Sequence, residues 1–315
     1  MHAAVVTAFD RPPVWTEVPD PIPERGDVVV TVRATALHPR VRSQASGSHY
    51  TSGGELPLVP GIDGVGELAD GSLVYFVLPD TRLGSFAERT AIDLRRSVML
   101  PHDIDPPTIA AAMNPAMSSW VALRRRAGFE SGQSVLVLGA TGSAGRLAVQ
   151  IAMHLGASQV VAAGRDAESL TALAALGARP VSIAGGPEAV AAVGDAAADV
   201  DVVLDYLWGE PAARAMRAVL VARRDRSTRL TWVQIGAVAG AESPIPSELL
   251  RSANLALVGS GQGSVSTQGI VDELTELVPV VAAHAFDVDV RSRPLREVAS
   301  VWTEPTGGSR VVFVP

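Results

Sequence analysis

The chain has 315 residues, 47% of them apolar and 19% charged, which supplies a large buried core and suits two domains better than one. It contains no cysteine, and all 26 basic residues are arginine; disulfides, thiol nucleophiles, cysteine-held zinc and Schiff-base or phosphate-loop lysines are thereby excluded. A formal net charge of −7 argues against nucleic acid or an anionic membrane as the partner.

The first hundred residues read as β-rich. Ala3–Phe9, Val28–Leu37, Gly64–Leu68, Leu73–Leu78 and Phe86–Ile92 are short apolar or β-branched runs divided by Pro, Gly and Asp, as strands and turns require. Asp70-Gly71 between two of them predicts a hairpin. Met1 to Phe9 reads as a strand rather than a leader, and no window approaches 18 apolar residues, so the expectation is a cytoplasmic protein with no membrane span. From Pro106 an Ala- and Met-rich stretch reads as a helix ending at Arg124-Arg125-Arg126. Cations suit that negative dipole end, and the run is read as a solvated face.

Between Gln133 and Gly261 six apolar runs alternate with helix-length segments. The runs are Ser134–Leu138, Gln159–Ala163, Pro180–Ile183, Val200–Leu204, Arg229–Ile235 and Leu255–Val258. The segments between them are Ser143–Leu155, Ala167–Leu176, Glu188–Val193, Pro211–Val221 and Ser247–Arg251. Such alternation predicts a doubly wound parallel sheet covered by helices on both faces. A helix over Gly269–Val281, a strand over Ala285–Val290, a short helix over Arg293–Val301 and a strand over Arg310–Val314 close the chain. Strands after a finished nucleotide-type sheet predict a return to the first domain.

The run Ser134–Leu138 leads directly into Gly139-Ala140-Thr141-Gly142-Ser143-Ala144-Gly145. A pyrophosphate-binding turn needs glycine at the bend, glycine where backbone meets phosphate, and a small residue where the helix packs on the strand. Gly139, Gly142 and Gly145 answer those needs, with Thr141, Ser143 and Ala144 between them. Arg165 stands 20 residues past Gly145, directly after Gly164, where the second strand reads the cofactor ribose. Its guanidinium suits the 2′-phosphate of NADP. The competing reading makes Asp166 the ribose acceptor of NAD, although Asp166 also fits as the N-cap of the next helix.

These stretches resemble the medium-chain dehydrogenase/reductase superfamily, in its zinc-independent quinone oxidoreductase branch. The resemblance runs through Leu56-Pro57-Leu58-Val59-Pro60-Gly61-Ile62-Asp63-Gly64-Val65-Gly66, Gly84-Ser85-Phe86-Ala87-Glu88, Asn114-Pro115-Ala116-Met117-Ser118-Ser119-Trp120 and Val135 to Leu155. It implies an α/β chain with a GroES-like β-domain (residues 1–112 and 266–315) and an inserted Rossmann domain (113–265), the active site lying in the cleft between them. It further implies a homodimer joined by extending the Rossmann sheet edge, with Arg229–Ile235 and Ala253–Gly259 as the strands concerned. Where zinc-dependent relatives place a histidine ligand, this chain has Ile62. Its six histidines show no metal spacing, so no metal is expected. Without a Lewis acid, hydride delivery suits an acceptor that spreads charge itself, a quinone or an α,β-unsaturated carbonyl.

The resemblance also points to residues. His38 stands where the family carries Asn, and Val41 where it carries Asp. His38 is a candidate proton donor, or else a loop histidine bonded to backbone. Tyr50 is a second candidate, and Asp63 orders the loop after the Pro-Gly turn. Asn114, Ser118, Gly236, Ala237, Gly259 and Ser260 match cofactor-cleft positions. Tyr206 stands near the cofactor or in the core, and Arg310 is a possible aid to Arg165. The leading expectation is an NADP(H)-dependent reductase of a small-molecule quinone or enone. A cofactor-binding structural or interaction protein is the non-enzymatic alternative. An atypical short-chain reductase is a third, disfavoured by the residues that precede the glycine turn and by the missing lysine.

Overall fold

The computed structural model describes residues 1–24, 26–79, 81–304 and 308–315. They form two compact units, Met1–Asn114 with Thr267–Pro315, and Pro115–Ser266.

The first unit begins with a two-stranded ribbon, β1 (His2–Val5) and β2 (Val14–Glu17). It continues with β3 (Asp27–Ala36), α1 (Pro39–Ala45), β4 (Asp63–Glu67), β5 (Leu73–Val77), β6 (Arg89–Asp93), β7 (Ser97–Met99) and α2 (Pro106–Val121), which crosses the unit boundary. The Asp-Gly hairpin forms as the sequence predicts. Gly71 adopts φ +85°, open to it because it lacks a Cβ, and the Asp70 carboxylate accepts the Ser72 N–H at 2.9 Å. A six-residue π-helical turn, Ala122–Ala127, extends α2, and Gly128 ends it in the left-handed region.

The second unit holds β8 (Ser134–Leu138), α3 (Ser143–His154), β9 (Gln159–Gly164), α4 (Ala167–Ala175), β10 (Arg179–Ser182), α5 (Pro187–Ala196), β11 (Val202–Asp205), α6 (Gly209–Ala222), β12 (Leu230–Gln234), α7 (Ser247–Arg251) and β13 (Leu255–Gly259). All six strands are parallel, in the order β10-β9-β8-β11-β12-β13. This is the doubly wound order whose carboxyl edge receives ligands. Central strands such as β8 are apolar on both faces because helices cover both. Trp232 is fully buried among Leu136, Leu138, Val203, Met216, Val219 and Leu230.

The chain returns to the first unit through α8 (Thr267–Ala282), β14 (Val290–Pro294), α9 (Val298–Val301) and β15 (Arg310–Val314). The main sheet there runs β14-β15-β3-β4-β5-β7, with β6 also paired to β3. Phe86 anchors one core cluster, edge-on to Phe313 (ring centroids 5.5 Å) and Trp302 (6.1 Å). The expected strand over Ala285–Val290 is displaced: β14 starts only at Val290. Residues after α8 finish that helix instead, with Ala285 N–H on the Val280 carbonyl and His284 at φ +53°. Among the described residues no helix is long and apolar enough to cross a membrane.

Candidate active site

The second unit gathers most sequence-identified positions along one edge. Because its strands are parallel, the turns leaving β8, β9, β11, β12 and β13 all emerge at the same carboxyl edge. These turns carry Gly139, Gly164–Arg165, Tyr206, Gly236–Ala237 and Gly259–Ser260 respectively.

Leaving β8, Gly139 takes φ +86°, and the N–H groups of Gly139 and Ala140 both bond the Ala163 carbonyl at 2.9 Å. The chain then enters α3. A Cβ at Gly145 would drive into the Gly139 carbonyl and Ala140, so only glycine lets the helix begin this close to the strand. Gly142 caps α3 without a side-chain bond. The amides of Ser143, Ala144 and Gly145 consequently have no acceptor among the described residues, which is the donor set an anion meets at a helix N-terminus. The turn therefore fits the pyrophosphate of a dinucleotide. Thr141 presses against Gly164, where a Cβ would overlap the Thr141 side chain, tying the first turn to the second strand.

Past Gly164 the two candidate cofactor readers behave differently. Asp166 caps α4, its Oδ1 accepting the Ser169 N–H at 2.8 Å. Hydrogen bonding from the Ser169 side chain, and then from this N–H, holds its carboxyl below the usual carboxylate range. Arg165 is exposed and makes no hydrogen bond or ion pair among the described residues.

After β11 the chain makes a tight bend whose main determinant is Asp205. Asp205 is buried. Its Oδ1 accepts the N–H groups of Leu207 and Trp208, both at 2.9 Å, and its Oδ2 accepts the Trp232 indole N–H at 3.0 Å. Burial raises its carboxyl, and these donors oppose the rise. The bend holds Trp208 at φ +54°, a strained setting for a bulky residue. Tyr206 is buried, with its hydroxyl 3.0 Å from Ser118 Oγ, and burial pushes its phenol up to about 12. Asn114 stands one turn before Ser118 on α2. The next loop folds onto this bend, Gly236 N–H reaching the Asp205 carbonyl at 3.1 Å and Ala239 N–H the Leu207 carbonyl at 2.8 Å. At the β13 end, Ser260 N–H bonds the Gln234 carbonyl at 2.8 Å.

Two expectations change in detail. Arg124 and Arg125 are exposed, but Arg126 is no solvated ornament: Nε donates to the Gly259 carbonyl at 2.7 Å and Nη1 to the Ser264 carbonyl at 3.3 Å. Arg310 is not available to a 2′-phosphate. It is 6% exposed within β15 of the first unit, where burial lowers its guanidinium to about 10 against the opposing pull of Asp63.

The first unit holds the other candidates. His38 is 3% exposed at the entrance of α1, and its Nε2 lies 3.0 Å from Asp63 Oδ1. Asp63 is also buried, and its Oδ2 accepts the Tyr75 hydroxyl at 2.7 Å. Burial first, then the Asp63 charge, raises the Tyr75 phenol well above its ordinary value. Thr35 Oγ1 donates to the Asp63 carbonyl at 3.2 Å and lies 2.7 Å from Ser85 Oγ. Asp63 thus does more than order a loop, and His38 is bonded to a carboxylate rather than to backbone. The sequence hides this cluster because its members are far apart in the chain; Tyr75 reads there only as part of an apolar strand. Tyr50, by contrast, is 72% exposed with its ring against His49 at 4.2 Å. Among the described residues no three His, Asp or Glu side chains gather as a metal site.

A scan of protein-family profiles returned no match. The chain is 34% identical, across the full length of both proteins, to the probable NADPH-dependent quinone reductase tdiC of Emericella nidulans. It is 32% identical to the 2-methylene-furan-3-one reductase of Solanum lycopersicum over 48% of this chain and 43% of that one. Among solved structures, the quinone oxidoreductase of Thermus thermophilus, also determined in complex with NADPH, superposes with a TM-score of 0.81 at 26% identity over all of both chains. With a parallel six-stranded nucleotide-type sheet, a separate largely antiparallel sheet built from both ends of the chain, and a full-length relative of this kind, the chain belongs to the quinone oxidoreductase branch of the medium-chain dehydrogenase/reductase superfamily.

Proposed function

We propose that the protein is an NADP(H)-dependent oxidoreductase that passes a hydride to a small quinone or α,β-unsaturated carbonyl. The observation that carries the cofactor choice is the division of labour after β9: Asp166 is engaged as a helix cap, while Arg165 is left unpaired beside it. The full-length likeness to a probable NADPH-dependent quinone reductase supports the reaction class.

In this reading Gly139, Thr141, Gly142, Ser143, Ala144 and Gly145 hold the pyrophosphate, and Gly164 and Arg165 take the adenosine ribose with its 2′-phosphate. Asn114, Ser118, Tyr206, Gly236, Ala237, Gly259 and Ser260 complete the cofactor site. Bound NADPH supplies the hydride. The protein's own residues orient the acceptor and deliver the accompanying proton, for which His38 and Tyr50 are the candidates. His38 is preferred because a buried imidazole on a carboxylate is held in one orientation. We assign the GroES-like catalytic domain to residues 1–112 and 266–315 and the Rossmann domain to 113–265.

We further propose a cytoplasmic homodimer. Only β13 of the two candidate strands ends the sheet, β12 being paired on both sides, and Leu257 of β13 is partly exposed. Light scattering after size exclusion tests the dimer, and cell fractionation tests the location. The activity test is NADPH oxidation across a panel of quinones and enones. Turnover that requires the acceptor is expected. Cofactor binding, read as a rise in melting temperature, without reduction of any acceptor would overturn the enzymatic reading and favour a cofactor-binding structural protein.

A further inference from the structure

We propose that Asp63 is a positioning residue that fixes the His38 imidazole for proton delivery, an inference that rests on the reductase reading above. Arg310, His38 and Asp63 stand at the ends of the neighbouring strands β15, β3 and β4, and Tyr75 lies mid-strand on β5 beside them. The register between β15 and β3 pairs Val312 with Ala36, and Leu37 N–H bonds the Val311 carbonyl at 2.9 Å. Carried on by one more residue, it sets Arg310 level with His38. Asp63 lies on β4, another neighbour of β3, and Tyr75 on β5 beyond it.

The carboxylate of Asp63 is divided, Oδ1 to His38 and Oδ2 to the Tyr75 hydroxyl. An ionised carboxylate only accepts hydrogen bonds, so His38 Nε2 carries a hydrogen and Nδ1 is the ring atom left to exchange a proton. Nδ1 has no partner among the described residues. Among the described residues, the charged and titratable groups coupled to this pair are Tyr75 and Arg310. Tyr75 stays neutral, and the buried Arg310 guanidinium offsets the charge of Asp63. The arginines of α1 turn elsewhere, Arg40 to Thr51 Oγ1 at 2.8 Å and Arg42 over the Trp302 ring at 5.7 Å. A histidine serving only to pack would need neither a dedicated carboxylate nor a second donor to orient that carboxylate.

The step balances simply. Hydride addition places an electron pair on the acceptor oxygen, and that oxygen takes the proton from Nδ1 of the His38 imidazolium. The ring returns to its neutral form with hydrogen still on Nε2, and solvent supplies the next proton.

Two measurements decide the proposal. Nitrogen-15 spectra of the histidine-labelled resting protein, with His38 assigned by its loss in His38→Gln, should show the Nε2–H tautomer and lose that preference in Asp63→Asn. In steady state, His38→Gln should lower kcat about 100-fold and Asp63→Asn at least about 10-fold, with KM for NADPH unchanged and the pH dependence due to the imidazole absent from His38→Gln. Tyr75→Phe keeps the carboxylate but removes one of the donors that orient it, and should lower kcat about three-fold, less than Asp63→Asn does. If Asp63→Asn folds poorly with Arg310 left uncompensated, Asp63→Asn combined with Arg310→Gln removes both charges and carries the same expectation. A tautomer indifferent to Asp63, or wild-type kcat in His38→Gln, would overturn the proposal and leave the reductase reading standing. No turnover by wild type on any acceptor, with NADPH bound, would remove the reductase reading and the proton role with it.

Discussion

Replacing Arg165 by alanine isolates the cofactor choice in one side chain. Arg165 has no hydrogen bond or ion pair to lose among the described residues, so the variant should fold as wild type does and melt at the same temperature without cofactor. Its effect should fall on binding alone. A hydrogen bond to a charged group is worth about 1.5–3 kcal/mol, and a guanidinium on a phosphate is bidentate. The residue is exposed, however, and salt screens such a pair over about 8 Å at physiological ionic strength. The lower part of the range, roughly 1.5–2 kcal/mol, is therefore the fitting figure, or about 10- to 30-fold in Kd for NADPH. NADH lacks the 2′-phosphate and should bind unchanged. Titrations of both cofactors against wild type and Arg165→Ala, at low and high salt, measure this directly, and the NADPH loss should shrink as salt rises. Asp166→Ala is the companion, expected to lower the melting temperature through its lost cap while keeping the NADPH preference. Equal losses for both cofactors in Arg165→Ala, or an NADPH affinity within two-fold of wild type, would refute the assignment.

Three further outcomes follow from the same geometry. Gly145→Ala should cost about 1–3 kcal/mol of stability and weaken cofactor binding, because its Cβ meets the Gly139 carbonyl; Gly259→Ala, with nothing within 4 Å of the new atom, should leave the denaturant midpoint unchanged. Asp205→Asn should destabilise by about 1–3 kcal/mol at neutral pH, since an amide nitrogen would face either the Trp232 indole N–H or the Leu207 and Trp208 amides. Wild type should also lose stability as pH rises from the ordinary carboxylate value to the raised value of Asp205, a slope missing in the Asp205→Asn variant, because a raised folded-state value favours the protonated native form. Ultraviolet titration should find at most one of the three tyrosines ionised below about pH 11, Tyr75 and Tyr206 being held protonated by burial. For the same reason stability should fall as pH climbs from about 10 towards 12.

The second unit is legible in the sequence because its physics is local. A central parallel strand buries both faces, so β8 appears as an unbroken apolar run and its ends coincide with the reading from sequence. The cap of α4 is equally local, since Asp166 and Ser169 lie three residues apart. The first unit is less readable. Among the described residues β2 pairs only with β1 and is largely exposed, so its Val-Trp-Thr-Glu run is too short and too little buried to show a strand's alternation. α1 is a two-turn helix whose buried residues are Val41, Gln44 and Ala45, set among arginines and a serine, and its sequence reads as loop. The residues from Ala285 have strand-like composition, but the end of α8 claims their backbone first.

The candidate site divides along the same line. A phosphate cradle is made of backbone, and the residues that permit it must be consecutive, so Gly139 to Gly145 announce it within seven positions. Its failures should come from added atoms, as at Gly145. The His38 cluster is made of side chains drawn from β4, β5, β15 and the end of β3, and its members are joined only once the sheet register is set. Nothing in the local sequence marks Tyr75 as a hydrogen-bond donor to Asp63, or Arg310 as the charge that offsets it. Its failures should come from removed atoms or charges, because a buried carboxylate left with fewer donors, or a buried guanidinium left without its counter-charge, bears a desolvation cost that no neighbouring group relieves. The missing lysines bear on both halves. An arginine keeps its charge when buried far more firmly than a lysine does, and so Arg310 can remain a fixed positive neighbour of Asp63.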